Sequence, residues 1–294
     1  MMRKVFLTLS FSVLNFVLPL SKAISSERVL ILKQKSDDVH NMVVKGFTES
    51  ISKDFRNNVL EADANGSLEK AKSYISEAIK KYRRFYIFTV GIIPTYAAFE
   101  LLSDKRQVPV VFTLVFSPER LGKLPKNFCG VLMHPDPKES LSKFSQIFQK
   151  ENELYIPFSD SSESAAEELK KEGEKLGIKV ILRRVRTDED IMDFLNNYQK
   201  NLAPLWLLPD PMIVNPDTIP IITDISKNSP VIAFSRVLLN LGAKLSYEID
   251  FYELGKKSAE IIQKIIKKEI DIRKEKFFYP QVKYLIKEDI SLNK

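Results

Sequence analysis

Cysteine occurs once and histidine twice in 294 residues, and no His-x-x-x-His or His-Glu-x-x-His pair is present. An internal disulfide, a multi-cysteine zinc or iron–sulfur site and a zinc site built on one helix face are therefore excluded. Glycine is also sparse, at nine residues, and none falls in a Gly-x-Ser-x-Gly, Gly-x-Gly-x-x-Gly or P-loop spacing. That removes the nucleophile elbow of α/β-hydrolases and the usual phosphate cradles of nucleotide-binding folds. Beyond residue 23 no apolar run approaches the roughly 18 residues that a membrane span needs. What is present is 44% hydrophobic and 28% charged residues, the balance of a folded chain and not that of disorder or collagen. At about 100 to 200 residues per domain, the length suits two lobes with a cleft between them.

The first 23 residues read as an export signal. Arg3 and Lys4 form a positive n-region, Val5 to Leu20 supplies an apolar run, Pro19 breaks it, and Ser21-Lys22-Ala23 offers small residues where signal peptidase needs them. Cleavage is predicted after Ala23. Losing Arg3, Lys4 and Lys22 takes the formal charge from +7 to +4. A lipoprotein carries its acylated cysteine directly after the signal; here that position is Ile24, so no lipid anchor is expected and the predicted location is a bacterial periplasm. Cys129, between Phe128 and Gly130 with no base nearby, reads as a buried small hydrophobe.

After the signal, short apolar runs alternate with amphipathic stretches, the pattern of parallel strands joined by crossover helices. Strands are expected at Arg28 to Leu32, Phe85 to Val90, Val108 to Phe112, Leu154 to Pro157, Lys179 to Arg183, Leu205 to Leu208 and Pro230 to Phe234. Helices are expected at Val39 to Phe55, Ser67 to Tyr82, Ser164 to Leu176, Asp188 to Asn197 and Tyr252 to Lys268, with an extended aromatic tail over Phe277 to Ile286. The β-α unit runs through twice, with a break at His134-Pro135-Asp136-Pro137, where two prolines disfavour helix and strand alike.

No catalytic constellation emerges. His40 falls early in a helix as an exposed or cleft-edge residue, and Asp37-Asp38 and Asp188-Glu189-Asp190 sit at helix starts, where capping accounts for them. Lys80, Lys81, Arg83, Arg84, Arg183, Arg184 and Arg186 are scattered, so nucleic acid is not an expected partner. What remains is a series of polar loops after strand ends, where open α/β sheets bind their ligands. Ser36 lies in the first. Gly91, Thr95 and Tyr96 lie in the second, where helix-start N–H groups suit a carboxylate. Thr113 and Phe116 lie in the third and Ser159 and Ser161 in the fourth. Asp210, between Pro209 and Pro211, is expected to face the cleft and meet an amine, and Ser235 follows the last strand.

Val108-Pro109-Val110-Val111-Phe112, Ser117-Pro118 and Gly130-Val131 resemble a segment of the tryptophan/tyrosine-type ABC-transporter substrate-binding proteins. Trp206 to Pro211, Ser229 to Ser235, Gly242 to Ser246 and Leu254 to Ala259 are similar to the second half of that family, in matching order, and the Gly91 to Tyr96 turn is also similar. Two departures stand out: Cys129 where a threonine is common, and no aspartate before the proline in the loop from Ser117 to Cys129. The resemblance implies an α/β, two-lobed type I periplasmic-binding-protein-like fold, each lobe a mainly parallel sheet flanked by helices, with three crossing segments. Lobe 1 is expected over residues 24–133 and 250–276, and lobe 2 over residues 134–249 and 277–294. It implies a monomer that needs no metal, cofactor or catalytic residue, and that closes on a small organic molecule for an ABC permease. An aromatic or apolar amino acid or a related compound is the expected ligand class; Phe112, Phe116, Tyr96, Trp206 and Phe234 are the aromatics near strand ends. The same fold also serves as a sensing or scaffolding module, and that alternative stays open here.

Overall fold

The computed structural model describes residues 27–103 and 108–287; the expected export signal over residues 1–23 lies outside them. The first run of elements is β1 (Arg28–Lys33), α1 (Asp38–Ser50), the single turn α2 (Lys53–Arg56), β2 (Val59–Asp63), α3 (Leu68–Lys81), β3 (Phe85–Val90), α4 (Ile92–Leu102), β4 (Val110–Thr113), a 3-10 turn (Pro118–Leu121) and β5 (Phe128–Val131). The second is α5 (Pro137–Ile147), β6 (Glu153–Phe158), α6 (Glu163–Leu176), β7 (Lys179–Arg184), α7 (Asp188–Tyr198), β8 (Leu205–Trp206), α8 (Ile219–Asn228), β9 (Val231–Ala233), α9 (Arg236–Asn240) and β10 (Leu245–Ile249). The chain closes with α10 (Phe251–Ile266), β11 (Phe277–Phe278) and β12 (Val282–Ile286).

Two six-stranded sheets result, ordered β11-β5-β4-β3-β1-β2 and β12-β10-β9-β8-β6-β7. Every pairing in the first is parallel, and in the second only β12 runs antiparallel, against β10. Parallel strands covered by helices on both sides must be apolar on both faces, which is why β1 carries the unbroken run Val29-Leu30-Ile31-Leu32. Val29 and Ile31 join the core under α1 and α10, while Leu30 and Leu32 join the one under α3 and α4. The second sheet repeats the arrangement, with Trp206 on one face and Leu205 and Leu207 on the other.

Helix starts follow their caps. Asp37, Ser67, Asp136, Thr187, Ser235 and Asp250 each accept a backbone N–H from the first turn of the helix they precede. The single helix expected over Val39 to Phe55 is instead broken after Ser50. Ile51 turns extended and buried, and the N–H of Ser52 is taken by Gln263 Oε1 of α10, so a tertiary contact stabilises the break.

The chain passes from one sheet to the other three times: between Val131 and Pro137, between Ile249 and Phe251, and between Phe278 and Val282. The tail expected as one strand over Phe277 to Ile286 is two. Phe277 and Phe278, assigned to lobe 2 from sequence, extend the first sheet beside β5, and only Val282–Ile286 joins the second. Tyr279-Pro280 separates them, because proline has no N–H to continue a ladder.

Candidate functional site

Each sheet reverses its strand order once, between β1 and β3 in the first and between β6 and β8 in the second. At such a switch point the flanking loops diverge and leave a crevice at the carboxyl ends of the strands. In the first lobe the crevice is crossed by Gln34 and Gly91. Gly91 has φ +106, and a Cβ there would fall 2.7 Å from Gln34 Cβ and 2.8 Å from Gln34 Oε1. Its lack of a side chain lets Gln34 Oε1 accept the N–H of Ile93 at 3.1 Å in the first turn of α4. One of the helix-start donors expected to hold a carboxylate is therefore already engaged. In the second lobe the corresponding crevice is closed by Asp210. Its Oδ2 accepts from Ser159 N (3.0 Å), Ser159 Oγ (2.7 Å) and Ser162 Oγ (2.6 Å), and its Oδ1 from Met212 N (3.0 Å).

The two crevices face one another across a cleft of about 790 Å³. It is walled by residues just past the strand ends: Gln34 and Lys35 after β1, Gly91 and Ile92 after β3, Leu114 to Ser117 after β4, Met133 after β5, Ser161 after β6, Pro209 and Pro211 after β8, and Phe251 after β10. Val39 and His40 of α1, and Arg120 and Leu121 of the 3-10 turn, complete the wall. Both lobes contribute, and Ser117 Oγ donates to the carbonyl oxygen of Ser161 across the gap. Leu114 is held at φ 56, a left-handed conformation uncommon for a bulky residue and typical of functional loops. His40 Nδ1 lies 2.6 Å from Asp37 Oδ1. The backbone N–H and then the ring of His40 hold the Asp37 carboxyl well below the usual carboxylate range, and Lys35 Nζ at 3.0 Å adds to this.

Of the residues singled out from sequence, Gly91, Phe116 and Ser161 line this cleft. The others do not. Ser36 donates to Asp63 Oδ2 at 2.5 Å, and Tyr96 is exposed on α4. Thr95 is fully buried, donating to the Gly91 carbonyl at 2.7 Å, and Thr113 is fully buried, donating to the Val131 carbonyl at 3.1 Å. Ser159 is taken up by Asp210, and Ser235 accepts from Leu238 N as a cap. Asp210 is 2% exposed, so the free loop carboxylate expected between two prolines is instead an internal acceptor. Phe112 and Trp206 are core, and Cys129 is buried, its thiol pushed up to about 12 by desolvation. His40, 8% exposed, is a wall residue where sequence left it at the surface or cleft edge. Gln34 carried a usable signal as the first residue after β1; Arg120 carried none, being one arginine in a Lys- and Pro-rich turn.

Two of the three crossings meet at His134 and Tyr279, whose rings are 5.7 Å apart. Glu168 of α6 accepts Tyr279 Oη at 3.1 Å and lies 3.8 Å from His134 Nε2. Burial depresses the His134 imidazole below its ordinary value of 6.5, against the opposing pull of Glu168, the Pro135 carbonyl and Asp136. The unfolded chain then takes up this proton at a higher pH than the folded one, so stability is full above 6.5 and falls as the pH drops toward the folded value. Melting curves between pH 7.5 and 5 should show that loss, and His134→Gln should flatten it; an unchanged slope in the variant would assign the loss to other groups.

Two packed α/β lobes, three crossings and a cleft at both switch points define a type I periplasmic-binding-protein fold, and solved structures agree. A ligand-free, open substrate-binding protein with adhesive properties from Clostridium difficile has a TM-score of 0.66 at 20% identity, over 90% of this chain and 92% of that one. An ABC domain from Streptococcus pneumoniae in complex with L-Trp has a TM-score of 0.57 at 16% identity, over 90% and 93%. A periplasmic ribose ABC transporter protein from Conexibacter woesei has a TM-score of 0.58 at 12% identity, over 90% and 93%. No curated protein matches the sequence. The family model of the ABC transporter substrate binding proteins matches residues 28–277, and the chain belongs to that family.

Proposed function

We propose that the protein is the solute-binding component of an ABC importer: an exported, unanchored monomer of the periplasm that closes on a small, largely apolar organic ligand and presents it to a permease in the inner membrane. The observation that carries this reading is the cleft itself, about 790 Å³ and walled by both lobes. Its size falls in the usual range for a small-molecule site, and its wall has the usual composition, apolar with a few placed polar groups. No step of this function needs a reacting group. Ligand contacts made by both lobes favour the closed state, and closure is what a permease would read. The Ser117 to Ser161 hydrogen bond already joins the two lobes directly across this cleft.

The test is a thermal-shift panel of amino acids, organic acids, sugars and nucleosides, followed by small-angle scattering on any hit. A true ligand at about 100 times its Kd should raise the melting temperature by roughly 5 to 10 °C and reduce the radius of gyration. Phe116→Ala, which removes an exposed cleft aromatic, should shrink the shift. A panel with no stabilising compound would overturn the reading.

A further inference from the structure

We propose that the cleft selects an organic anion with an apolar body and no ammonium group, a monocarboxylate in place of an amino acid, with Arg120 as its charge partner. This rests on the solute-binding reading above and goes further by naming the substrate class. The polar side chains of the wall are Gln34, Lys35, His40, Ser117, Arg120 and Ser161, and among the described residues no carboxylate lines it. Around those groups the wall is apolar, with Ile92, Leu114, Phe116, Met133 and Phe251 on it.

The acids at the surrounding strand ends are each committed elsewhere. Asp37 is shared between His40 and Lys35. Asp210 is closed in by Ser159, Ser162 and Met212. Asp160 pairs with Arg184 at 2.6 Å, and Asp250 caps α10 through Tyr252 N and Glu253 N. Glu119, the acid beside Arg120, is not on the wall, and its carboxyl is engaged by the side chain of Ser117, which is. An ammonium enclosed here would give up its water without finding a counter-charge, and an uncompensated buried charge is strongly unfavourable.

A carboxylate meets the opposite situation. Arg120 lines the cleft, and its guanidinium makes no hydrogen bond or salt bridge among the described residues, acting on Glu119 only through space. A guanidinium can hold a carboxylate through two parallel, charge-assisted N–H donors, which add geometric specificity to the charge. Arg120 also stands on the 3-10 turn that begins after Ser117, whose hydroxyl already reaches Ser161 in the other lobe. The cation therefore sits on the segment that bridges the lobes. Lys35 is already paired with Asp37, and His40 has Nδ1 committed to Asp37, which leaves Nε2 as its remaining nitrogen.

Matched pairs differing only by the ammonium group separate the possibilities: 3-phenylpropanoate against L-phenylalanine, indole-3-propanoate against L-tryptophan, and 4-methylpentanoate against L-leucine, each titrated calorimetrically into the intact protein. The carboxylate of at least one pair should bind about 100-fold more tightly than its amino acid, and phenethylamine should not bind. Arg120→Gln should weaken the carboxylate by at least tenfold, and Arg120→Lys by less. Because Arg120 is exposed, the melting temperature without ligand should stay unchanged in both. An amino acid that binds as tightly as its deaminated partner, or Arg120→Gln with unaltered affinity, would overturn this inference and leave the solute-binding reading intact. Binding of sugars alone would do the same. Failure of every compound, sugars and nucleosides included, would overturn both.

Discussion

Asp210→Ala should destabilise the second lobe by about 4 kcal/mol, the sum expected when several buried donors lose one shared acceptor. The carboxylate takes four hydrogen bonds, from the Ser159 amide and hydroxyl, the Ser162 hydroxyl and the Met212 amide. It is also 2% exposed, so water cannot replace it without opening the loops. At about 2 to 4 °C per kcal/mol for a lobe of this size, the melting temperature should fall by roughly 10 to 15 °C. Trp206, the sole tryptophan, is buried in β8 four residues before Asp210, so urea unfolding followed by its fluorescence reads this lobe directly. Asp210→Asn keeps one carbonyl acceptor and should lose less. A variant that unfolds like the parent while losing ligand affinity would return Asp210 to the cleft-facing role that its sequence context suggested.

Gly255→Ala should be nearly as damaging to the first lobe, although alanine is the better helix former by about 1 kcal/mol. Helices α1 and α10 touch through backbone. A Cβ on Gly255 would stand 1.9 Å from the Val43 carbonyl oxygen and 2.7 Å from Phe47 N, and one on Gly46 would stand 2.0 Å from the Tyr252 carbonyl oxygen. A flexible side-chain tip could move aside, but a helix backbone packed on a sheet must shift as a unit. Overpacking of this kind costs typically 1 to 3 kcal/mol and occasionally more. A net loss of about 3 kcal/mol is expected, read as a drop in the circular-dichroism melting temperature of roughly 6 to 12 °C. Ligand affinity should fall with it, because Val39 and His40 of α1 and Phe251 of α10 are carried by the same pair of helices. Lys256→Ala, one residue on and exposed, is the control and should change stability by less than about 0.5 kcal/mol. Equal stability of Gly255→Ala and that control would show that the helices separate without cost.

Much of the architecture was legible in the chain because its signals are local. Val29-Leu30-Ile31-Leu32 is apolar at every position and Phe85 to Val90 nearly so, broken only by Thr89 and the Tyr86 hydroxyl, a run that a strand covered on both faces requires, and Asp37, Ser67 and Thr187 mark helix starts through bonds spanning three residues. The alternation of strands and helices then determined the α/β class and the set of loops at the strand ends, where the cleft wall lies. Short or mixed strands were missed or merged: β2, half-exposed along Val59–Asp63, escaped notice, and β11, two residues that take their place only by pairing with β5, was read as the start of one continuous tail strand. Tertiary structure alone decided which loop residues face the cleft and which face each other. Asp210 and Ser159 are 51 residues apart and Gln34 and Ile93 are 59 apart, so whether a carboxylate or an amide meets a ligand or a neighbouring loop depends on how two distant turns close around a switch point. Gly46 and Gly255 are likewise unremarkable in sequence, and their role exists only where two helix backbones touch. A residue's own polarity places it on a loop; its partner is chosen by the packing of segments that the chain brings together only when it folds.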